Sequence, residues 1–338
     1  MKGRFAQVVG TGGIGAGVLF ELEGNGTLRR GESRPAALSD ARDYCKQHII
    51  LHYVAKVLAG DTQVYAIGKI GDDTNGGRLV REMREAGIGT EFVQQAKSGV
   101  TMYSVCLQYP DKSVCNITTS NSASGAVDAD YVRSCVGRLK TPPGKETLVL
   151  AVPEVPLAAR IALLEAGREK GAYCVASFVC AEAQEFLTGG GFDASDLLVI
   201  NEEEAGAVLG SKERDCGRLA QQMMQFLSGR ENMPHVAMTC GEKGSYSISR
   251  TSADFLPGHR MKAVSTAGAG DAYTAGTICG LHFGLPLGQK DGNAPCAQEM
   301  GAAFAQQAVL CRHTIDPSID RQFVRQFLQE RAAVTDGI

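Results

Sequence analysis

The stretch Val264-Ser265-Thr266-Ala267-Gly268-Ala269-Gly270-Asp271-Ala272-Tyr273-Thr274-Ala275-Gly276 decides the fold. It reads as a Gly-rich turn opening a helix, with an acidic residue at the junction. Small residues at 268–270 let another group approach the backbone closely. Their N–H groups, together with the helix dipole, favour an anion. An Asp held at such a place can take a proton from a hydroxyl while the adjacent N–H groups hold phosphoryl oxygens. Phosphoryl transfer asks for little beyond that positioning, charge stabilisation and a base.

Upstream, short apolar runs alternate with helical segments. Gln7–Gly10, Gln63–Ile67, Leu148–Val152, Ala172–Ser177, Leu197–Ile200 and His235–Thr239 read as strands. Asp40–Leu58 (capped by Ser39 or Asp40), Thr74–Ala86 and Leu157–Lys170 read as helices, each stopping at or near a glycine. Apolar strands between helices predict a mostly parallel sheet covered on both faces, a three-layer α/β/α fold. One hairpin departs from that alternation: Thr101–Gln108, a turn at Pro110-Asp111-Lys112, and Ser113–Thr119. It predicts a small β lid. No repeat or linker divides the chain, so residues 1–338 read as a single domain, the lid formed by about 16–35 and 100–120.

Two further loops follow strands, where ligands bind in open α/β sheets. Asn201-Glu202-Glu203-Glu204 could order the water shell of Mg²⁺. Thr239-Cys240-Gly241-Glu242-Lys243-Gly244 could wall a nucleotide pocket.

Together these stretches resemble the ribokinase-like (PfkB) family of carbohydrate and nucleoside kinases. Ser265–Gly276 is similar to the family's D-T-x-G-A-G-D-x-F-x-A-G. Asn201 and Glu204 match N-x-x-E, and Thr239, Gly241 and Gly244 match T-x-G-x-x-G. Gly68, Gly71, Asp73 and Gly76 match G-x-x-G-x-D-x-x-G, followed by Gly87-Ile88-Gly89-Thr90 where the family has G-V-D-T. The resemblance implies an ATP- and Mg²⁺-dependent kinase acting on a hydroxyl of a sugar or sugar-like molecule. It makes Asp271 the catalytic base, and Gly268, Ala269 and Gly270 the anion hole. Asn201 and Glu204 would serve the phosphates and, through water, Mg²⁺. Thr239, Gly241 and Gly244 would border the nucleotide, and His313 would line its adenine side. Glu154 and Asn121 fall where relatives have residues near the sugar.

The sequence departs from the family on the acceptor side. Ser265 replaces the Asp that helps bind a monovalent cation, which puts potassium activation in doubt. Gly15 stands where relatives carry a sugar-binding Asp, and Lys46-Gln47-His48-Ile49-Ile50-Leu51 stands where they carry G-G-x-x-x-N. In their place Gly10–Gly17, including Gly13 and Gly15, could form a nest of N–H groups. Arg29, Arg30, Arg34 and Arg42 lie nearby in sequence, with Lys46 and His48 beyond. The expectation is an acceptor that carries an anionic group. His48 and His52, four apart, lack the Glu of a metal-binding H-E-x-x-H.

Composition narrows the rest. Lys+Arg 34 against Asp+Glu 37 speaks against a nucleic-acid binder working by bulk charge. No apolar run approaches the ~20 residues of a membrane span, and Met1–Phe5 does not read as a signal peptide. Eleven scattered cysteines without a CxxC pair read as reduced thiols in a cytoplasmic protein. An exposed lid edge is compatible with a homodimer. Gly10-Thr11-Gly12-Gly13-Ile14-Gly15 formally matches a dinucleotide fingerprint, yet a strand-like Val18-Leu19-Phe20 follows where a helix is needed. The alternatives carried forward are a nucleoside kinase and a non-catalytic binding relative on the same fold.

Overall fold

A computed structural model describes residues 3–24, 26–111, 114–230, 233–289 and 295–335. The hairpin residues Lys112 and Ser113 lie outside them. Thirteen strands are present among the described residues. In chain order they are β1 (Gln7–Thr11), β2 (Gly15–Leu22), β3 (Ala36–Tyr44), β4 (Gln63–Ile70), β5 (Ile88–Gln95), β6 (Met102–Gln108) and β7 (Val114–Thr118). Then come β8 (Thr147–Ala151), β9 (Tyr173–Ala176), β10 (Leu197–Asn201), β11 (His235–Thr239), β12 (Gly244–Ile248) and β13 (Ala253–Pro257). The helices are α1 (Lys46–Val57), α2 (Thr74–Glu85), α3 (Ala129–Gly137), α4 (Leu157–Glu169), α5 (Ala183–Thr188), α6 (Glu202–Leu209), α7 (Cys216–Ser228), α8 (Ala269–His282), α9 (Ala297–Ala308) and α10 (Arg321–Thr335).

Nine strands form one sheet in the order β13-β12-β11-β10-β9-β8-β1-β4-β5. Pairings from β11 to β5 are parallel, and β12 and β13 close one edge antiparallel. Neighbouring strand residues point to opposite faces, so this sheet separates two apolar layers. Val8, Val64, Leu148 and Leu150 pack with α1, α2, α8, α9 and α10. Val9, Tyr65, Val149 and Leu198 pack with helices α3 to α7. Burial on both faces explains why the central strands read as unbroken apolar runs. The three-layer α/β/α expectation holds.

The second sheet has four strands in the order β3-β2-β6-β7. The predicted hairpin is β6–β7, and β2 joins it in parallel through Gly15↔Met102 to Glu21↔Gln108. The remaining strand corrects the sequence reading. A helix is expected from Asp40, but Ala36–Tyr44 is β3, paired antiparallel with β2. The helix begins only at Lys46, with Cys45 as an N-cap whose side chain makes no capping hydrogen bond. Pairing with a strand about twenty residues earlier overrides the local helical pattern.

The Gly10–Gly17 nest is also overturned. The chain passes here from the large sheet straight into the second one, with no helix between. The Gly13 N–H donates to Pro153 O at 3.1 Å and the Ile14 N–H to Ser124 Oγ at 3.5 Å. Gly15–Gly17 are committed to strand pairing. The absence of a helix after the glycines also removes the dinucleotide-fingerprint context. No helix among the described residues is long and apolar enough to cross a membrane.

Candidate active site

The C-terminal ends of β1, β8, β10 and β11 converge on one cleft, where the loops that follow them place the polar residues. The acidic helix start is as the sequence reads. Gly268 caps α8 with a left-handed backbone, φ 79°, and a Cβ there would lie 2.7 Å from Thr314 O. Glycine is required on both counts. The first-turn N–H groups of α8 have no partner inside the helix, and a Cβ at Gly270 would meet nothing within 4 Å. Asp271 is 8% exposed on the first turn.

Across the cleft, Lys46 at the start of α1 brings Nζ to 3.3 Å from Asp271 Oδ1. The attraction of Asp271 outweighs loss of hydration and holds the ammonium well above its ordinary pKa, with Glu154 and Glu204 adding to it. Glu154 follows β8 with φ 79°, the one left-handed non-glycine among the described residues. Its side chain reaches the cleft, but loss of hydration there pushes its carboxyl up to about 7, against the pull of Cys45 and Lys46. Asn201 and Glu204 form a reciprocal cap on α6: Glu204 N donates to Asn201 Oδ1 at 2.8 Å and Asn201 N to Glu204 Oε2 at 2.9 Å. Burial raises the Glu204 carboxyl as well.

Beside the helix start of α8 lies a cavity of about 370 Å³. Thr239, Gly241 and Gly244 of the β11–β12 turn line it together with Ala269 and Gly270 of α8 and Val309 after α9. Gly244 has φ 123°, and a Cβ there would overlap Leu256 O and lie 2.6 Å from Gly258 N. Asn201 is the register partner of Thr239, so the two motifs are neighbours on adjacent strands.

Four expected site residues are placed elsewhere or otherwise engaged. His313 is absent from the cavity lining; its Nδ1 accepts from the Arg42 N–H at 2.9 Å and ties β3 to the segment after α9. Arg34 lies in the β2–β3 connection, held by Glu32 and by Gly26 O. His48 is 1% exposed, packed 4.5 Å from the Tyr44 ring and 6.3 Å from that of His52, and burial drives its pKa down to about 3. Asn121 is an exposed turn residue whose backbone O accepts from Val100 N at 3.3 Å. Gly13 is at the cleft, where a Cβ would lie 2.7 Å from Glu154 Oε2. Gly15 O accepts from the Cys45 N–H at 3.2 Å. Of the basic residues expected to hold an anion, Lys46 is the one bound to the acidic cluster.

The G-x-x-G-x-D-x-x-G motif proves architectural. Asp73 Oδ1 accepts from Gly76 N at 2.9 Å and its Oδ2 from Thr101 N at 2.7 Å, fixing α2 to the root of β6.

A sequence profile described as pfkB family carbohydrate kinase matches residues 50–321. The chain belongs to this family. That membership makes it a phosphotransferase with a hydroxyl acceptor. It is 24% identical over 281 residues to a 5-dehydro-2-deoxygluconokinase of Geobacillus kaustophilus, covering 78% of each chain. It is 26% identical over 230 residues to an ATP-dependent ribose-1-phosphate kinase of Halopiger xanaduensis, covering 67% of this chain and 70% of that one. In fold it is similar to the ribokinase of Cryptococcus neoformans solved with ADP, with a TM-score of 0.73 at 21% identity, covering 95% and 99% of the two chains. The acceptors these names state differ, so family membership alone does not choose one.

Cys45 and Ser124 were missed in the sequence. Cys45 was hidden by the misplaced helix start. Ser124 sits on a short 3₁₀ turn with no motif around it.

Proposed function

We propose that this pfkB-family chain transfers the γ-phosphoryl of ATP to a hydroxyl of a sugar or sugar-like small molecule, with Asp271 as the base. The observation that carries the reading is the junction at α8. Ala269 and Gly270 border the nucleotide cavity, while the next residue, Asp271, meets Lys46 on the acceptor side. A γ-phosphoryl at this junction would have the N–H groups of Gly268 and Gly270 on its oxygens, joined by that of Ala269 once it leaves Thr266 O, to which it donates at 3.3 Å. The acceptor oxygen forms a bond to phosphorus as the bond to the ADP oxygen breaks, and the hydroxyl proton passes to Asp271. Lys46 keeps Asp271 paired until the acceptor arrives.

Asn201 and Glu204 offer hard oxygen donors whose burial favours a cation beside them, which fits Mg²⁺ held through water. Mg²⁺ held there by Asn201 and Glu204 would supply neutralisation of phosphate charge. Thr239, Gly241 and Gly244 take the nucleotide side. The second sheet acts as the lid of one kinase domain, excluding water that would otherwise accept the phosphoryl group.

The test is ADP release from MgATP with a panel of neutral sugars, sugar acids, sugar phosphates and nucleosides. Asp271→Asn is expected to lower kcat by about 10²–10⁴-fold while ADP affinity stays within a few-fold. Turnover unaffected by Asp271→Asn would overturn the assignment of the base. ATP binding without turnover of any acceptor would favour the non-catalytic relative.

A further inference from the structure

Gly15 is closed to any side chain. A Cβ there would lie 2.6 Å from Met102 O and 2.8 Å from Cys45 Sγ, so no carboxylate can be carried at this position. Two residues on, Gly17 pairs with Asp43 of β3 on one side and Ser104 of β6 on the other. A Cβ at Gly17 would overlap Asp43 Oδ2 and lie 2.7 Å from Ser104 Oγ. The bare glycine is therefore the space in which a carboxylate and a hydroxyl from the flanking strands come together.

The face they share is the one turned to the cleft. Alternation puts residues 43 and 45 on the same face of β3. Cys45 lies over Gly15, and the next residue, Lys46, reaches Asp271. Gly13, on the same passage, makes room in the same way for Glu154. Burial raises the Asp43 carboxyl, and Asp271 raises it further, which places the two groups within each other's field.

We propose that Asp43 is a specificity-determining residue of the acceptor site, and that with Glu154 it selects a neutral polyhydroxy acceptor. The inference rests on the kinase reading above and names its substrate class. An ionised carboxylate only accepts hydrogen bonds, so it pairs naturally with the hydroxyls of a sugar or polyol. The charge balance of the cleft points the same way. Asp43, Glu154, Glu204 and Asp271 are acidic, and the one basic residue gathered with them among the described residues, Lys46, is already on Asp271. A carboxylate or phosphate on the acceptor would sit among like charges, which costs affinity. The anionic acceptor expected from the sequence loses its supports in the same stroke: Arg34 is bound to Glu32 and the Gly13 and Ile14 N–H groups are taken.

The test compares wild type, Asp43→Asn and Ser104→Ala on neutral sugars, sugar acids and sugar phosphates, and on deoxy analogues of the best neutral acceptor. Wild type is expected to prefer a neutral acceptor. Asp43→Asn is expected to raise the KM of that acceptor about 10–100-fold, as for a lost hydrogen bond to a charged group, with a smaller change in kcat. Against one deoxy analogue the effect of Asp43→Asn should shrink to within about 3-fold, because the hydroxyl it held is gone. ADP affinity reports that each variant is folded. An unchanged KM in folded Asp43→Asn, an equal loss on every deoxy analogue, or a wild-type preference for acidic acceptors would overturn the proposal. Should Asp43→Asn fail to bind ADP, Ser104→Ala decides: a selective KM increase supports it and none overturns it. Wild type that turns over no acceptor at all overturns the kinase reading, and this one with it.

Discussion

Glu154 carries two burdens. Its backbone is held at φ 79°, a conformation that costs a non-glycine residue about 1–3 kcal/mol. Its carboxyl is pushed up to about 7. Such strain concentrates where function holds a side chain in place. The sign of the titration follows. Above pH 7 the carboxylate predominates and can accept two hydroxyls; below it a proton occupies one acceptor position. The acceptor KM should therefore rise as pH falls through about 7, and Glu154→Gln should flatten that step. An unchanged step in Glu154→Gln would assign the titration elsewhere. Because the folded pKa lies above the ordinary value, ionising Glu154 opposes folding as pH rises. Glu154→Gln should accordingly gain more stability over wild type at about pH 8 than at about pH 5, read from urea midpoints. Asp271 was legible in the sequence from its place in a Gly-rich helix start, and Glu154 only through the resemblance, which puts an acidic residue near the sugar at that place. Asp43 was not. Its meaning depends on Gly17, and the two meet only because β3 folds back along β2.

At the level of elements, the legible parts are those buried on both faces. Val8, Leu148–Val152 and Leu197–Ile200 are continuous apolar runs because helices cover both sides of the large sheet. β3 lacks that signal: Leu38 on it is 63% exposed, and polar residues are interspersed. Its partner strand, not its own pattern, makes it extended. The joints between elements rest on few atoms. Asp73 caps α2 and also holds the first residue before β6. Asp73→Ala should lower stability by about 1–3 kcal/mol in urea titration. Gly244→Ala should cost at least about 2 kcal/mol, because a Cβ strikes the β13 backbone at a φ that L residues avoid. It should also weaken ADP binding, measured by calorimetry, since Gly244 borders the cavity proposed for the nucleotide. ADP affinity equal to wild type in Gly244→Ala would show that this turn does not shape the pocket.

Over the whole molecule, the proposed nucleotide side lies on the large sheet, and the proposed acceptor side lies between Glu154, which follows β8 of that sheet, and the second sheet. Hydrogen exchange should separate the two. Adding an acceptor with a non-hydrolysable ATP analogue should slow exchange in β2, β3, β6 and β7, with little change in β1, β4 and β8. Equal protection of both sheets would argue against a lid. The strand order holds one more consequence. β1 is the first strand made, yet it lies near the middle of the sheet, between β4 and β8. Gln7 pairs with Gln63 on one side but with Thr147 on the other. At ribosomal speeds of about 5–20 residues per second, β1 waits roughly 7–30 s for that second partner. Throughout this interval one edge of an apolar strand is open on the nascent chain. The Lys46–Asp271 pair cannot form until translation has passed residue 271. A half-made chain thus exposes a template for wrong pairing long before it possesses a site, so yield in the cell should respond to chaperone supply and translation rate more steeply than the purified enzyme's stability would indicate.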